Sequence, residues 1–324
     1  MLIPCIMFGI FVAMRDGLLQ NTGPFTKLVF AAFIVISSFL ITLVAGLALA
    51  MPLFGMGFME LIDSLSNIAH PRYVDLLKYF QVVQSTGLFI IPPFILAWFF
   101  SSNVSRYLRI DKRISSRTAV LTVVLTLSAI PLINLIAHFN AQLSLPESLS
   151  SIEEWMKSTE EAANNLIKRF LRADTAIDLF INLVMIAMIP AIGEELLFRG
   201  IIQRLFSEWT GNRHAGIWIA ALIFSAMHIQ FYGFIPRTML GVLFGYLLVW
   251  SGTMWVPVIA HFVNNAAAVF VYYFIYQNRL SEDIETIGAD RGDWIFVAAS
   301  LVLLAYFITA FYRRERKTGQ GISG

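Results

Sequence analysis

Residues 176–200 read AIDLFINLVMIAMIPAIGEELLFRG, a long apolar run that ends in two acids and an arginine. Its apolar part is long enough to cross a bilayer as a helix, which takes about 20 mostly apolar residues. Charged side chains are costly inside such a helix and mark a functional site by default. This stretch therefore predicts a membrane-spanning helix with a candidate site at its charged end.

The composition of the whole chain agrees with a membrane protein. Of its 324 residues, 58% are hydrophobic and 14% are charged, whereas soluble proteins have about 25% charged residues. The mean hydropathy is +0.72, and so few polar groups could not cover the outside of a soluble fold. The single cysteine, Cys5, excludes an internal disulfide and a cysteine metal cage. The absence of a basic stripe argues against nucleic acid as a partner.

Seven further apolar segments are long enough, or nearly so, to cross a membrane. The eight predicted spans lie at about 28–51, 80–101, 118–140, 175–197, 214–231, 236–251, 254–276 and 294–312. They predict an all-α fold, a polytopic transmembrane helical bundle of about eight spans. The fifth and sixth spans are short and also fit one broken unit around Tyr232-Gly233 and Pro236.

Basic residues between the spans predict the orientation, because lysine and arginine are enriched in short cytoplasmic loops. The loops after the second and fourth spans and the C-terminal tail are basic, whereas the loop after the seventh span is acidic. Eight spans with both termini in the cytoplasm satisfy all of these loops. We expect an integral protein of a bacterial inner (cytoplasmic) membrane.

The chain divides into five predicted segments. They are an N-terminal segment (1–27), N-terminal spans (28–140), an amphipathic extramembrane segment (141–174), a core with the polar motifs (175–276) and a last span with a basic tail (277–324). Two interpretations of residues 1–13 stay open: a signal-peptide-like start, or a gene-model artefact with translation beginning at Met14. Within the amphipathic segment, residues 150–170 have helical spacing, which predicts an interfacial helix or, less favoured, a substrate gate.

The first polar motif lies at the end of the fourth span. Glu195 and Arg199 are four positions apart, so they share one helix face and can pair. Glu194 points about 100° away from that face. An ordinary alternative is a helix end that reaches the cytoplasmic interface, where charges cost little.

Two further motifs lie in later spans. His228 follows Phe224 by four positions, and His261 precedes Asn265 by four. Taken singly, each also fits an ordinary role, since a histidine can bond a backbone carbonyl, and Asn and His can join membrane helices by hydrogen bonds.

Together the three motifs supply the groups that peptide hydrolysis needs. A carboxylate and imidazoles can activate water, and side-chain donors can hold the oxyanion. Two histidines and a glutamate are also a known catalytic zinc set, here Glu194, His228 and His261. No serine or cysteine stands in an evident nucleophile arrangement.

The three motifs resemble those of the CPBP family of intramembrane proteases, which includes CAAX prenyl proteases and abortive-infection and bacteriocin-immunity-like proteins. The family pattern is EExxxR, FxxxH and HxxxN, and this sequence has all three in that order. The resemblance covers roughly residues 175–276. It implies a catalytic core with a conical intramembrane cavity that opens to the membrane and the cytoplasm.

The resemblance also implies roles for the motif residues. Four would be catalytic, the first two activating water and the last two forming the oxyanion hole: Glu194, His228, His261 and Asn265. Three would support them, with the arginine orienting the two acids: Glu195, Arg199 and Phe224. We favour a glutamate mechanism without a cofactor, because an asparagine amide suits an oxyanion hole better than a zinc shell. Zinc is the alternative.

The predicted function is an intramembrane endopeptidase that hydrolyses a membrane-associated protein or peptide, surrounded by lipid. One alternative is a non-catalytic membrane partner, such as an immunity factor or a regulator of a membrane sensor protein, in which the same residues only hold helices together. A small transporter is a third hypothesis, but it predicts inverted repeats, and none is visible in the sequence.

Overall fold

A computed structural model of the chain describes residues 17–66, 73–290 and 292–318. In these ranges the secondary structure consists of helices joined by turns and loops, without strands, so the predicted all-α fold is confirmed. The two interpretations of residues 1–13 concern a segment outside the described residues.

Ten helices of at least nine residues make up the described part of the fold. They are α1 (Pro24–Phe54), α2 (Phe58–Ser66), α3 (Val74–Phe100), α4 (Ser116–Ala141), α5 (Ser150–Leu171), α6 (Ala176–Thr210), α7 (Arg213–Ala226), α8 (Phe234–Ser251), α9 (Trp255–Tyr276) and α10 (Trp294–Thr318). Seven helices in the described part of the chain, all but α2, α5 and α7, are long and apolar enough to cross a membrane. The chain is therefore a polytopic membrane protein.

The fifth predicted span corresponds to the short helix α7. It has 14 residues and is about 21 Å long, less than the roughly 30 Å hydrocarbon core of a bilayer. The alternative of one broken unit is wrong, because α7 and α8 pack side by side. A Cβ atom built on Gly241 of α8 would lie 3.0 Å from the Cβ atom of Ala221 of α7. The glycine thus allows the close approach of the two helices.

Helix α6 extends well beyond the predicted end at residue 197. It continues to Thr210 and contains a π-helical turn at Phe198–Ile202, a feature that is frequent at functional sites. Its charged motif is consequently inside the bundle, where Glu194, Glu195 and Arg199 are 9%, 0% and 2% exposed. The alternative of a helix end at the interface is therefore wrong.

The connections between helices meet at two opposite ends of the bundle. At one end, which we call the basic face, the backbone N–H of Met254 donates to the carbonyl of Arg109 over 3.0 Å. At the other end, the acidic face, the backbone N–H of Ile235 donates to Oδ1 of Asn140 over 2.8 Å. Basic and acidic connections thus separate as the sequence predicts, while the side of the membrane that each face occupies stays a prediction.

Helix α5 forms where the sequence predicts an amphipathic helix, and it lies at the acidic face. Its place outside the membrane stays a prediction. Its Glu160 carboxylate accepts a hydrogen bond of 3.1 Å from the backbone N–H of Tyr232. Its Trp155 ring lies 5.4 Å from the ring of Phe231. These contacts hold α5 against the turn between α7 and α8.

Candidate active site

A cavity of about 720 Å³ lies between the helices. All four residues predicted to be catalytic line it: Glu194, His228, His261 and Asn265. Phe224 also contributes to the wall. Polar side chains from α6, the turn after α7 and α9 thus line the same cavity.

Behind the cavity wall, Glu195 and Arg199 form a buried ion pair. Arg199 Nε lies 3.0 Å from Glu195 Oε2, which confirms the predicted pairing. The same guanidinium donates to the carbonyl of Gly241 over 3.2 Å and lies over the Phe224 and Phe244 rings at 4.9 and 5.7 Å. A buried charge needs such partners, so this arginine joins α6, α7 and α8.

The imidazole of His261 lies between the two acids. Its Nδ1 atom is 2.9 Å from Glu195 Oε1, and its Nε2 atom is 3.8 Å from Glu194 Oε2. Phe244 stacks on the ring with 5.4 Å between centroids. The resemblance implies that Arg199 orients both acids. In the structure Arg199 binds Glu195, and Glu195 in turn positions His261.

The sequence predicts that His228 lies within an apolar helix. In the structure it lies instead in the turn after α7, which ends at Ala226. Its Nδ1 atom is 2.8 Å from the carbonyl oxygen of Phe224. A carbonyl only accepts hydrogen bonds, so Nδ1 carries the hydrogen. In the neutral ring Nε2 is then unprotonated, which is the form that a general base requires.

The Asn265 side chain makes two hydrogen bonds beside the cavity. Its Nδ2 atom donates to the carbonyl of Ile186 over 3.2 Å, and its Oδ1 atom accepts from Asn264 over 3.2 Å. An amide nitrogen carries two hydrogens. One hydrogen therefore remains for a bound group, as an oxyanion hole requires.

Other cavity residues were missed by sequence reasoning. Asn264, Gln230 and Arg237 line the cavity, and the Arg237 guanidinium donates to Oε1 of Gln230 over 2.6 Å. The signal for Arg237 was present, because it is a charged residue near the start of an apolar span. The signals for the neutral amides were weaker, since amides also join helices without any further role.

The zinc alternative, with Glu194, His228 and His261 as ligands, stays a prediction. Across the three described ranges, no group of three His, Cys, Asp or Glu side chains is placed to hold a metal ion. We therefore derive no step that involves a metal.

The cavity reaches towards the acidic face. Gln81 and Ala137 line it near the acidic-face ends of α3 and α4, and Ala163 and Phe170 of α5 complete its wall. Towards the basic face the bundle is filled by a buried apolar cluster that includes Leu196, Phe198, Leu248 and Met254. The resemblance implies a cavity open to the cytoplasm. With the basic face in the cytoplasm, this cavity would instead face the other side.

The fold and the cavity define a polytopic helical membrane protein with a polar site between its spans. Residues 176–267 match the family model described as Type II CAAX prenyl endopeptidase Rce1-like. All three motifs lie within this match, so the resemblance to the CAAX protease family is confirmed for this segment.

Two curated proteins of Bacillus subtilis (strain 168) are similar to part of the chain. The "Uncharacterized protein YpbD" is 31% identical over 106 residues, which cover 32% of this chain and 51% of that protein. The "Putative membrane peptidase YdiL" is 28% identical over 100 residues, which cover 31% of this chain and 41% of that protein. The chain thus spans about half the length of these relatives or less. No solved structure matches.

Proposed function

We propose that this chain is an intramembrane endopeptidase of the CAAX protease type that cleaves a membrane-associated protein or peptide. The proposal rests on one observation. Four side chains from three separate segments line the same cavity: Glu194, His228, His261 and Asn265. The family match of residues 176–267 supports the same class of enzyme.

The proposed reaction begins with a water molecule in the cavity. Glu194 and Nε2 of His228 act as general bases and remove a proton as the water oxygen attacks the peptide carbonyl carbon. The carbonyl oxygen becomes negatively charged and accepts hydrogen bonds from Asn265 Nδ2 and His261 Nε2. His261 can donate from Nε2 when its ring carries both protons. The proton taken from water then passes to the leaving amine nitrogen as the C–N bond breaks.

Glu195 and Arg199 take a positioning role in this proposal. The buried carboxylate of Glu195 accepts from Nδ1 of His261, which directs Nε2 of that ring towards Glu194. Arg199 supplies the balancing charge at 3.0 Å. Such preorganised groups act without having to reorient during the reaction.

The cavity wall suggests how a substrate would enter. The wall is largely apolar and includes the inner side of α5, so an extended peptide could lie between α5 and the motif residues. With the basic face in the cytoplasm, as the positive-inside rule predicts, the substrate would come from the extracytoplasmic side.

The proposal is tested with Glu194→Gln, which keeps the size of the side chain but removes its capacity as a base. The variant and the wild-type protein are purified from the same cells, and co-purifying membrane peptides are identified by mass spectrometry. We expect uncleaved substrates with Glu194→Gln and cleaved products with the wild-type protein. Glu154→Gln, on the exposed side of α5, is the matched control and should cleave normally.

The alternative of a non-catalytic membrane partner predicts a different result. In that case Glu194→Gln would retain the same partners as the wild-type protein, and no cleaved product would appear in either sample. If the Glu194→Gln variant cleaved as well as the wild-type protein, the assignment of Glu194 as the base would be contradicted.

A further inference from the structure

A second cavity, of about 250 Å³, lies at the basic face, away from the space lined by Glu194 and His228. Its charged lining is mainly positive, with four arginines and one glutamate: Arg109, Arg199, Arg204, Arg213 and Glu208. Ser207 and Gln203 add polar groups to the wall. A cavity with this lining attracts anions.

Arg199 and Arg204 each pair with a carboxylate. Arg199 is paired with Glu195 at 3.0 Å, and Arg204 with Glu208 at 3.1 Å. Arg109 forms no ion pair with any carboxylate in the described part of the chain. Within these residues, no carboxylate therefore balances its positive charge.

The environment of Arg109 makes this lack of a partner costly. Burial, with the nearby charges of Arg204 and Arg213, lowers the pKa of the Arg109 guanidinium to about 10. The group is still positively charged at neutral pH. A partly buried cation beside two others is unfavourable unless an anion compensates it.

The backbone at Arg109 is also unusual. Its φ angle is 57°, in the left-handed region that glycine favours. The carbonyl of Arg109 is held there by the backbone N–H of Met254 over 3.0 Å and by Thr253 Oγ1 over 3.4 Å. An arginine in a position suited to glycine is consistent with a need for its side chain, since such strain is commonly found at binding sites.

The surrounding aromatic residues indicate the depth of the cavity. Trp98, Trp209 and Trp255 are exposed near the same end of the bundle, and Trp255 Nε1 donates to the carbonyl of Ile110 over 3.2 Å. Exposed tryptophans are enriched at the level of the lipid headgroups. We therefore expect this cavity to lie at the depth of the lipid phosphate groups.

We propose that this cavity is a phosphate-binding site in which Arg109 is the principal ligand, filled by the headgroup of an anionic phospholipid or by free phosphate. The planar guanidinium matches two phosphate oxygens at once. Basic pockets between membrane helices are known to bind anionic lipid headgroups. Arg204 and Arg213 add to the positive potential of the same space.

The test uses the full chain purified in a neutral detergent. Binding of phosphatidylglycerol and phosphatidylcholine is measured by native mass spectrometry, and inorganic phosphate is titrated separately while thermal unfolding is followed. We expect the wild-type protein to bind phosphatidylglycerol more tightly than phosphatidylcholine, or to be stabilised by inorganic phosphate. The first result identifies the lipid as the source of the phosphate group, and the second identifies the free ion.

Arg109→Gly removes the guanidinium and suits the left-handed backbone, so its effect reports the side chain rather than strain. Whichever probe binds the wild-type protein, we expect it to bind this variant roughly tenfold more weakly or worse, since a charge-assisted contact is lost. Asparagine also tolerates this φ angle, so Arg109→Asn replaces the glycine variant in the test if that variant folds poorly. Arg113→Gly removes an equal charge from an exposed position of the same loop and should bind normally. The proposal is overturned if neither probe binds the wild-type protein selectively, or if both Arg109 variants bind like it.

Discussion

The Nδ1 atom of His261 lies 2.9 Å from Oε1 of Glu195, so the second acid of the EExxxR motif binds the first residue of the HxxxN motif. A carboxylate without a proton only accepts, so the hydrogen is on Nδ1. The other oxygen of Glu195 is 3.0 Å from Nε of Arg199. One acid of the motif thus joins the helices, while Glu194 faces the cavity.

Glu195→Gln should destabilise the fold, whereas Glu194→Gln should affect turnover. A glutamine at 195 leaves the buried Arg199 without a balancing charge, which costs about 3–5 kcal/mol. We expect a clearly lower Tm for Glu195→Gln and a near-normal Tm for Glu194→Gln, measured by thermal unfolding in detergent. Equal melting temperatures for Glu195→Gln and the wild-type protein would refute the structural role of this ion pair.

His228→Asn should give a folded but inactive protein. The asparagine amide can replace Nδ1 in donating to the carbonyl of Phe224, which is 2.8 Å from the imidazole nitrogen, but it has no counterpart of Nε2. Loss of a general base lowers kcat by roughly 10²- to 10⁴-fold. A cleavage assay with a substrate identified by the Glu194→Gln experiment measures this effect.

The control for this variant is His214→Asn. His214 lies near the basic face, where its Nδ1 atom is 2.7 Å from the Tyr246 hydroxyl, and it does not line the cavity. We expect near-normal kcat. If His228→Asn also retained its kcat, the role proposed for Nε2 would be wrong.

Removal of metal ions should leave cleavage unchanged. Our reason is the placement of Glu194, His228 and His261, which do not form a three-ligand set in the structure. The purified protein would be dialysed against a strong chelator, and its metal content and kcat would be measured before and after. The metalloprotease alternative would instead be favoured if the protein held one zinc ion per chain, lost its activity when the zinc was removed, and regained it when zinc was added back.

Much of the fold was predictable because lipid imposes simple rules on sequence. Long apolar runs identified the seven long spans, and the period of α5 identified an amphipathic helix. Helix ends were less predictable. The end of α6 at Thr210 was missed because its last turns, from Gln203 on, are polar on one side and still helical.

The candidate site was predictable in its members but not in its contacts. Spacing by four residues predicted the pair Glu195–Arg199, because such neighbours share a helix face. The bond from Glu195 to His261 joins residues 66 positions apart, and no local rule gives such a contact. The same holds for Arg109, which has no carboxylate partner among the described residues because of how distant loops pack together.

The sides of the membrane can be assigned by cysteine labelling, because Cys5 is the single native cysteine. In a Cys5→Ser background, Asn164→Cys marks the exposed side of α5, and Arg113→Cys marks the basic loop. We expect a membrane-impermeant maleimide to label Asn164→Cys in intact cells, but Arg113→Cys only after permeabilisation, because basic loops stay in the cytoplasm. The reverse pattern would place the acidic face, and with it the cavity, on the cytoplasmic side.

Ala163→Trp should obstruct the substrate cavity, because Ala163 lies on the side of α5 that lines it. An indole there would fill space between α5 and the motif residues, so we expect a higher KM, or loss of cleavage, with a near-normal Tm. Ala162→Trp adds the same group to the exposed side of the same helix and should cleave normally. If the two variants had equal activity, peptides would not enter along α5, and the proposed route from the acidic face would have to be abandoned.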